Sequence, residues 1–188
     1  MNRLLNIGLM SILMIIIIEV FSSFFGWLGI RNSYFFVNAM NSILNISILI
    51  ILWNILVKYY KQAQLDIILK SMIVILVIAS VLSFLTGFYF GKIGFVILVA
   101  LSVINIVLYF VFIHRVMEIE NSMINQIELL KSYGLAFVAC LFGQFVLSVV
   151  IELTKYKNLN FVNHFLIIIP VIFIGLFFLK TKIEIRKK

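Results

Sequence analysis

Glu19 stands out in this sequence because it interrupts a long run of apolar residues near the start of the chain. Arg31 marks the far end of that run and follows Glu19 by twelve residues, which is roughly 18 Å if the run is helical. A charged side chain at the centre of a lipid bilayer costs about 2.5–3.5 kcal/mol on insertion scales. We therefore expect Glu19 to face polar neighbours rather than lipid.

Four amide side chains fall at a comparable depth, counted from the nearest basic residue: Asn41, Asn45, Asn105 and Gln144. Asn41 and Asn45 follow Arg31 by ten and fourteen residues, or roughly 15 and 21 Å along a helix. A short connection joins the apolar stretch of Glu19 to that of Asn41, so the two should be neighbours. The sequence thus predicts a hydrogen bond from Asn41 or Asn45 to Glu19.

Two interpretations of these five polar residues remain open. They could line a small cavity that binds a substrate, or a site where Glu19 takes up and releases a proton or a cation. They could instead only hold helices together, since such contacts contribute about 0.6–2 kcal/mol each within a membrane. A shared depth fits both, because it does not fix the direction in which each side chain points.

The composition decides the class of protein that positions these residues. The chain has 188 residues, of which 64% are hydrophobic and 12% are charged, and its mean hydropathy is +1.23. A soluble domain of this size could not hide so much apolar surface from water. We therefore exclude a soluble enzyme, a nucleic-acid-binding domain and a disordered chain, and predict an all-α, polytopic integral membrane protein.

Six apolar runs are each close to the ~20 residues that a helix needs to cross the hydrocarbon layer. They predict a bundle of six transmembrane helices that forms a single domain over residues 1–188. The predicted helices cover approximately residues 4–30, 35–57, 67–90, 93–113, 133–151 and 161–179.

The basic residues predict the orientation of this bundle. With the N-terminus inside, eleven Lys and Arg residues lie on the inner side and four on the outer side. Positive residues are enriched on the cytoplasmic side of membrane proteins. We therefore expect a cell (cytoplasmic) membrane protein with both termini in the cytoplasm and with the lipid bilayer as its main partner.

Two features could bind other membrane subunits. Small residues recur every four positions in the third predicted helix, at Ala79, Ser83, Gly87 and Gly91, a spacing that allows close helix packing. The inner segment, residues 114–132, has apolar residues at helical spacing with polar residues between them. The commoner explanations are that the small residues pack within this chain and that the segment consists of extensions of the two flanking helices.

Several kinds of chemistry are not expected. The chain has one cysteine, Cys140, and its two histidines, His114 and His164, are predicted to lie at opposite membrane faces. No second ionisable group is predicted near Glu19, and no phosphate-binding loop, nucleophile elbow or zinc-protease motif occurs. We expect no enzymatic activity, no cofactor, no metal site and no binding of nucleic acid.

These expectations favour a transport-related role, in which the site around Glu19 binds a substrate or an ion. The alternative is a non-catalytic accessory or scaffold subunit of a larger membrane complex. In size, predicted spans and inside termini, the chain is similar in architecture to the small substrate-capturing membrane subunits of vitamin-uptake transporters. This similarity of architecture is consistent with a role in transport and rests on no shared motif.

Overall fold

The computed structural model describes residues 1–27, 34–86, 91–120, 124, 126–154 and 161–187, and every element in these ranges is helical. Six α-helices account for most of them: α1 (Asn2–Trp27), α2 (Tyr34–Trp53), α3 (Asp66–Thr86), α4 (Gly91–Met117), α5 (Ile127–Thr154) and α6 (Phe161–Lys187). A π-helical segment, Asn54–Tyr59, extends α2, and a 3₁₀ turn, Ala63–Leu65, precedes α3.

All six helices are long and apolar enough to cross a membrane. This confirms the prediction of an all-helical chain and suggests a multi-pass membrane protein. Three helices clearly extend beyond the predicted apolar runs, since α4 continues to Met117, α5 begins at Ile127 and α6 continues to Lys187. The predicted residues 28–30 and 87–90 lie outside the described residues.

The helices form a closed ring in which each one packs against its neighbours in sequence and α6 packs against α1. Helices α1 and α6 run antiparallel, because Gly8 lies against Phe178 at one end and Glu19 contacts His164 nearer the other. Both termini therefore lie at the same end of the bundle. We call this the terminal end, and the opposite end, which holds Ser23 and Phe161, the distal end.

The fully buried apolar side chains gather towards the terminal end. They come from the first half of α1, α3 and α5 and from the second half of α2, α4 and α6, the halves that antiparallel packing brings together. Examples are Leu5, Leu52, Leu69, Phe112, Leu130 and Phe178. Among the described residues of the distal half, Glu19 and Ser23 are polar and buried. The apolar core thus fixes one end of the bundle, and the polar residues lie towards the other.

The inner segment, residues 114–132, consists partly of extensions of its flanking helices, since α4 runs to Met117 and α5 starts at Ile127. Its apolar side chains turn into the core of the same chain. Those of Val116, Ile119, Ile124, Ile127 and Leu130 are all buried. Of this segment, residues 121–123 and 125 lie outside the described part of the chain.

The predicted stripe of small residues does not continue along one helix. Helix α3 ends at Thr86, and Gly91 is the first residue of α4, so its assignment to the third helix was wrong. Gly87 lies outside the described residues. The part of the stripe that the structure describes on α3 consists of Ala79, which is half-buried, and Ser83, which is exposed.

A substitution at Gly8 tests the packing of α1 against α6. A Cβ atom at Gly8 would lie 2.8 Å from Cδ2 and Cε2 of Phe178, a side chain with no exposed surface. We expect Gly8→Ala to destabilise the protein by about 1–3 kcal/mol, because the buried ring cannot move aside without strain. Thermal unfolding of the full chain in detergent measures this change.

Gly143 provides the matched control for this substitution. A Cβ atom there would meet Leu166 at 3.5 Å, which is ordinary van der Waals contact. Gly143→Ala should leave the Tm unchanged or raise it, since alanine favours a helix over glycine by about 1 kcal/mol. Equal destabilisation by both substitutions would contradict the proposed packing of α1 on α6.

Candidate functional site

Glu19 is buried between α1, α2 and α6, and each of its carboxylate oxygens has a hydrogen-bond partner. Its side chain is 5% exposed. The Nδ2 amide of Asn41 on α2 donates to Oε1 at 2.7 Å, and Nδ1 of His164 on α6 lies 2.6 Å from Oε2. The predicted contact between Glu19 and Asn41 is confirmed. The contact shows that Glu19 faces the interior of the bundle.

The contact between His164 and Glu19 overturns one expectation from the sequence. No second ionisable group was expected near Glu19, because His164 was placed at the membrane face and Glu19 near mid-membrane. Glu19 precedes the last residue of α1, Trp27, by only eight positions, or roughly 12 Å. His164 follows the first residue of α6, Phe161, by three positions. Antiparallel packing of α1 on α6 therefore brings the two side chains to one level, closer to the distal end than to the terminal end.

Two further hydrogen bonds fix the level of α6 around this site. The hydroxyl of Ser23, one turn beyond Glu19 on α1, donates to the backbone carbonyl of Phe161 at 3.2 Å. From the other side, Nε2 of Gln144 on α5 donates to the backbone carbonyl of Asn163 at 3.4 Å. Helix α6 is thus held on both sides next to His164. Gln144 reaches the site through the backbone of α6 and is not bonded to Glu19.

The other two predicted site residues do not contact Glu19. Asn45 is one turn from Asn41 but its side chain is exposed, so the structure does not bring it into the site. Asn105 on α4 is half-buried and lies near the level of Gln144. This level follows from the packing of α4 against α5, in which Tyr109 of α4 stacks on Phe137 of α5 with 4.6 Å between ring centroids. Neither Asn105 nor Asn45 is a hydrogen-bond partner of Glu19 in the described part of the chain.

Three buried amide oxygens lack a hydrogen-bond donor among the described residues. They are the Oδ1 atoms of Asn41, Asn105 and Asn163. One of them belongs to the Glu19 site, since Asn41 bonds Glu19, and Asn163 is the residue before His164 in the sequence. Buried polar atoms are nearly always bonded to protein or to ordered water. These oxygens can therefore accept hydrogen bonds from water or from a bound solute.

The arrangement does not resemble a metal centre. Among the described residues, no group of three or more His, Cys, Asp or Glu side chains could hold a metal ion. Both oxygens of Glu19 already meet nitrogen atoms, and the N–H donor of Asn41 would repel a cation at that position. What the site combines is one carboxylate, one imidazole and an amide, which together can hold and exchange a proton.

A second polar cluster lies at the terminal end. The hydroxyl of Tyr60 lies 3.0 Å from both Oε2 of Glu184 and Oε1 of Gln126, and it can donate its one proton to either. Burial, followed by the hydrogen bond to Glu184, raises the pKa of Tyr60 above its usual value. An open pocket of about 290 Å³ beside them is lined also by Lys180, Ile183 and Lys187. This cluster joins the ends of α2 and α6 to the start of α5.

Comparison with family models, with curated proteins and with solved structures finds no match to this chain. The functional conclusions below therefore depend on the geometry of its own residues.

Replacing Asn41 tests whether its amide stabilises the buried carboxylate. Asn41→Leu removes the donor to Oε1 of Glu19 and leaves that oxygen without its partner. We expect a loss of about 1–3 kcal/mol of stability, the usual cost of an unsatisfied buried group. Thermal unfolding of the full chain in detergent gives this value.

Asn45→Leu is the matched control, because it makes the same change one turn away at an exposed position. It should leave the Tm within error of the unsubstituted protein. The assignment of Asn41 as the partner of Glu19 is wrong if Asn45→Leu is as destabilising as Asn41→Leu.

Proposed function

We propose that the chain is a multi-pass protein of the cell membrane with a transport-related role, in which the site around Glu19 binds a small solute or an ion. The observation that carries this proposal is the buried carboxylate of Glu19, bonded at 2.7 Å to Asn41 and at 2.6 Å to His164. Ionisable residues within membrane spans are rare, and they mark substrate and ion pathways. Two such residues from different helices meet here.

The contrast between the two ends of the bundle supports this proposal. The apolar core already packs α1, α2 and α6 together at the terminal end, through side chains such as Leu5, Leu52 and Phe178. A polar contact towards the distal end is therefore not needed to make these helices associate. The Oδ1 atom of Asn41, which has no donor among the described residues, gives a bound solute an acceptor next to Glu19.

The interpretation that these residues only hold helices together predicts a different arrangement. Interhelical amides that serve only for adhesion satisfy one another, because every unpaired polar atom in hydrocarbon costs free energy. Here the Asn41 amide satisfies Glu19 with its nitrogen, while its own oxygen has no donor among the described residues. Purely adhesive packing does not explain that oxygen.

The alternative role, an accessory or scaffold subunit, depended on two surfaces. The apolar side chains of the inner segment pack into the chain's own core, and Gly91 does not continue the small-residue stripe of α3. Of the described small residues on α3, Ser83 is exposed and Ala79 is half-buried. Such a role would require the chain to purify with protein companions in fixed stoichiometry.

Native mass spectrometry of the full chain, purified gently from its membrane, tests the proposed function. We expect a small endogenous solute to copurify with the protein, and we expect Glu19→Gln to lower its occupancy at least about tenfold. A loss of about 1.4 kcal/mol of binding free energy produces a change of that size. Thermal unfolding of the same samples should show that the variant is still folded.

Glu152→Gln is the matched control, since Glu152 is an exposed carboxylate near the end of α5. It should retain the solute at the level of the unsubstituted protein. Equal retention by the folded Glu19→Gln variant would argue against the proposed site. A particle that contains stoichiometric protein partners and no solute would favour the accessory role instead.

A further inference from the structure

We propose that His164 is the proton-exchanging residue of this site, that its Nε2 atom is the exchange position, and that Glu19 is a positioning residue. The inference rests on the proposed function, and it specifies that the ion handled by the site is a proton. It follows from the geometry of the pair, the exposure of its two members and the surrounding charges.

The geometry determines which ring nitrogen can exchange a proton. When Glu19 is ionised, its carboxylate only accepts hydrogen bonds, and the Nδ1 atom that lies 2.6 Å from Oε2 then carries a hydrogen. In a neutral imidazole the other nitrogen, Nε2, then has a free lone pair. Glu19 is in turn held by Asn41, whose amide occupies the second carboxylate oxygen at 2.7 Å. The carboxylate thus orients the ring and leaves Nε2 as the basic atom.

The exposure of the two side chains agrees with this division of roles. The side chain of His164 is 23% exposed, whereas that of Glu19 is 5% exposed. His164 also lies only three residues from the start of α6, or roughly 5 Å from that end of the helix. The imidazole is therefore the more accessible member of the pair, while the carboxylate stays buried behind it.

The charge of the pair changes by one unit in each exchange. Protonation of Nε2 by a hydronium ion forms an N–H bond, releases one water molecule and converts the imidazole to an imidazolium. The ion pair with Glu19 is then neutral, and loss of the proton leaves one negative charge. Because isolated charge is costly away from water, the neutral and the charged states differ in their preferred surroundings. Gain or loss of the proton therefore changes the free-energy cost of keeping the pair buried.

Few other titratable groups face this pair. On α2, residues 40–53 contain no Asp, Glu, Lys, Arg or His, and on α1 the only such residue besides Glu19 is Arg3, at the terminal end. Helix α5 packs on α6 and carries Cys140 one turn from Gln144, with Glu152 two turns beyond Gln144 towards the distal end. Helix α6 contributes His164 alone until Lys180. In the described region around the site, the titratable neighbours of the Glu19–His164 pair are therefore Cys140 and Glu152 on α5.

Nitrogen-15 NMR of histidine side chains tests the inference directly. The full chain carries His114→Gln, so that His164 is the one remaining histidine, and is placed in phosphatidylcholine vesicles. His114 is exposed at the terminal end, so its removal leaves the site intact. The pH of the sample is lowered stepwise, and we expect Nε2 to gain one proton as the pH falls.

The neutral ring should also favour the Nδ1–H form over the Nε2–H form by at least about tenfold, which corresponds to about 1.4 kcal/mol. Glu19→Gln removes the acceptor-only carboxylate and should reduce this preference, whereas Glu152→Gln should not. Three results would overturn the inference: a neutral ring in the Nε2–H form, no change in protonation as the pH is lowered, or an unchanged tautomer in the Glu19→Gln variant.

Failure of this inference is distinguishable from failure of the proposed function. Retention of a solute that is lost in Glu19→Gln, together with a His164 ring that does not titrate, would refute proton exchange and leave solute binding intact. Titration of His164 in the Nδ1–H form with no copurified solute in any sample would refute solute binding and leave proton exchange intact.

Discussion

A carboxylate that is removed from water must be bonded on both of its oxygens, and the surroundings of Glu19 follow from this constraint. Three helices meet at this side chain: α1 carries it, α2 provides the Asn41 amide and α6 provides the His164 imidazole. A shift of one residue in either helix would rotate its partner group about 100° away from the carboxylate. The carboxylate thus specifies the register of α1 against both neighbours, whereas apolar packing alone tolerates repacking more easily.

The two ends of the bundle have different roles in this account. The terminal end is fixed by fully buried apolar side chains, by the close packing of α1 at Gly8 against Phe178 of α6, and by the hydrogen bonds of Tyr60. Among the residues whose burial is described, the distal half has few buried apolar side chains, and it holds the ionisable pair. Stability and proposed chemistry are therefore separated along the helices. Changes of protonation at one end need not disturb the packing that holds the other end together.

Depth counting along the sequence found the Glu19–Asn41 contact because both residues could be counted from the same basic residue, Arg31. It could not separate Asn41 from Asn45, because depth along a helix does not give the direction in which a side chain points. Four residues rotate a helix by about 40° beyond a full turn, and Asn45 is exposed. It missed His164 because the histidine belongs to the sixth helix, which packs against the first only when the ring closes. Ring closure is a tertiary property that no local spacing encodes.

The spacing of apolar residues in the inner segment is a second case in which the sequence pattern does not reveal the tertiary contacts. Val116 lies in α4, and Ile127 and Leu130 lie in α5, whereas Ile119 lies beyond the end of α4. A docking surface and a core surface have the same periodicity. The structure assigns these side chains to the core. The spacing of apolar residues therefore predicts which face of a helix is apolar, whereas the packing partners of that face are known only from the fold.

The energetic coupling between Glu19 and His164 is the quantity that tests this account most directly. A double-mutant cycle of Glu19→Gln, His164→Gln and the combined variant, followed by thermal unfolding of the full chain in detergent, measures it. Residues in one buried hydrogen-bond network usually show coupling of about 0.5–3 kcal/mol, and we expect at least about 1 kcal/mol here. If the two single effects add to within about 0.3 kcal/mol, the carboxylate and the imidazole are not partners, and the site described here does not exist.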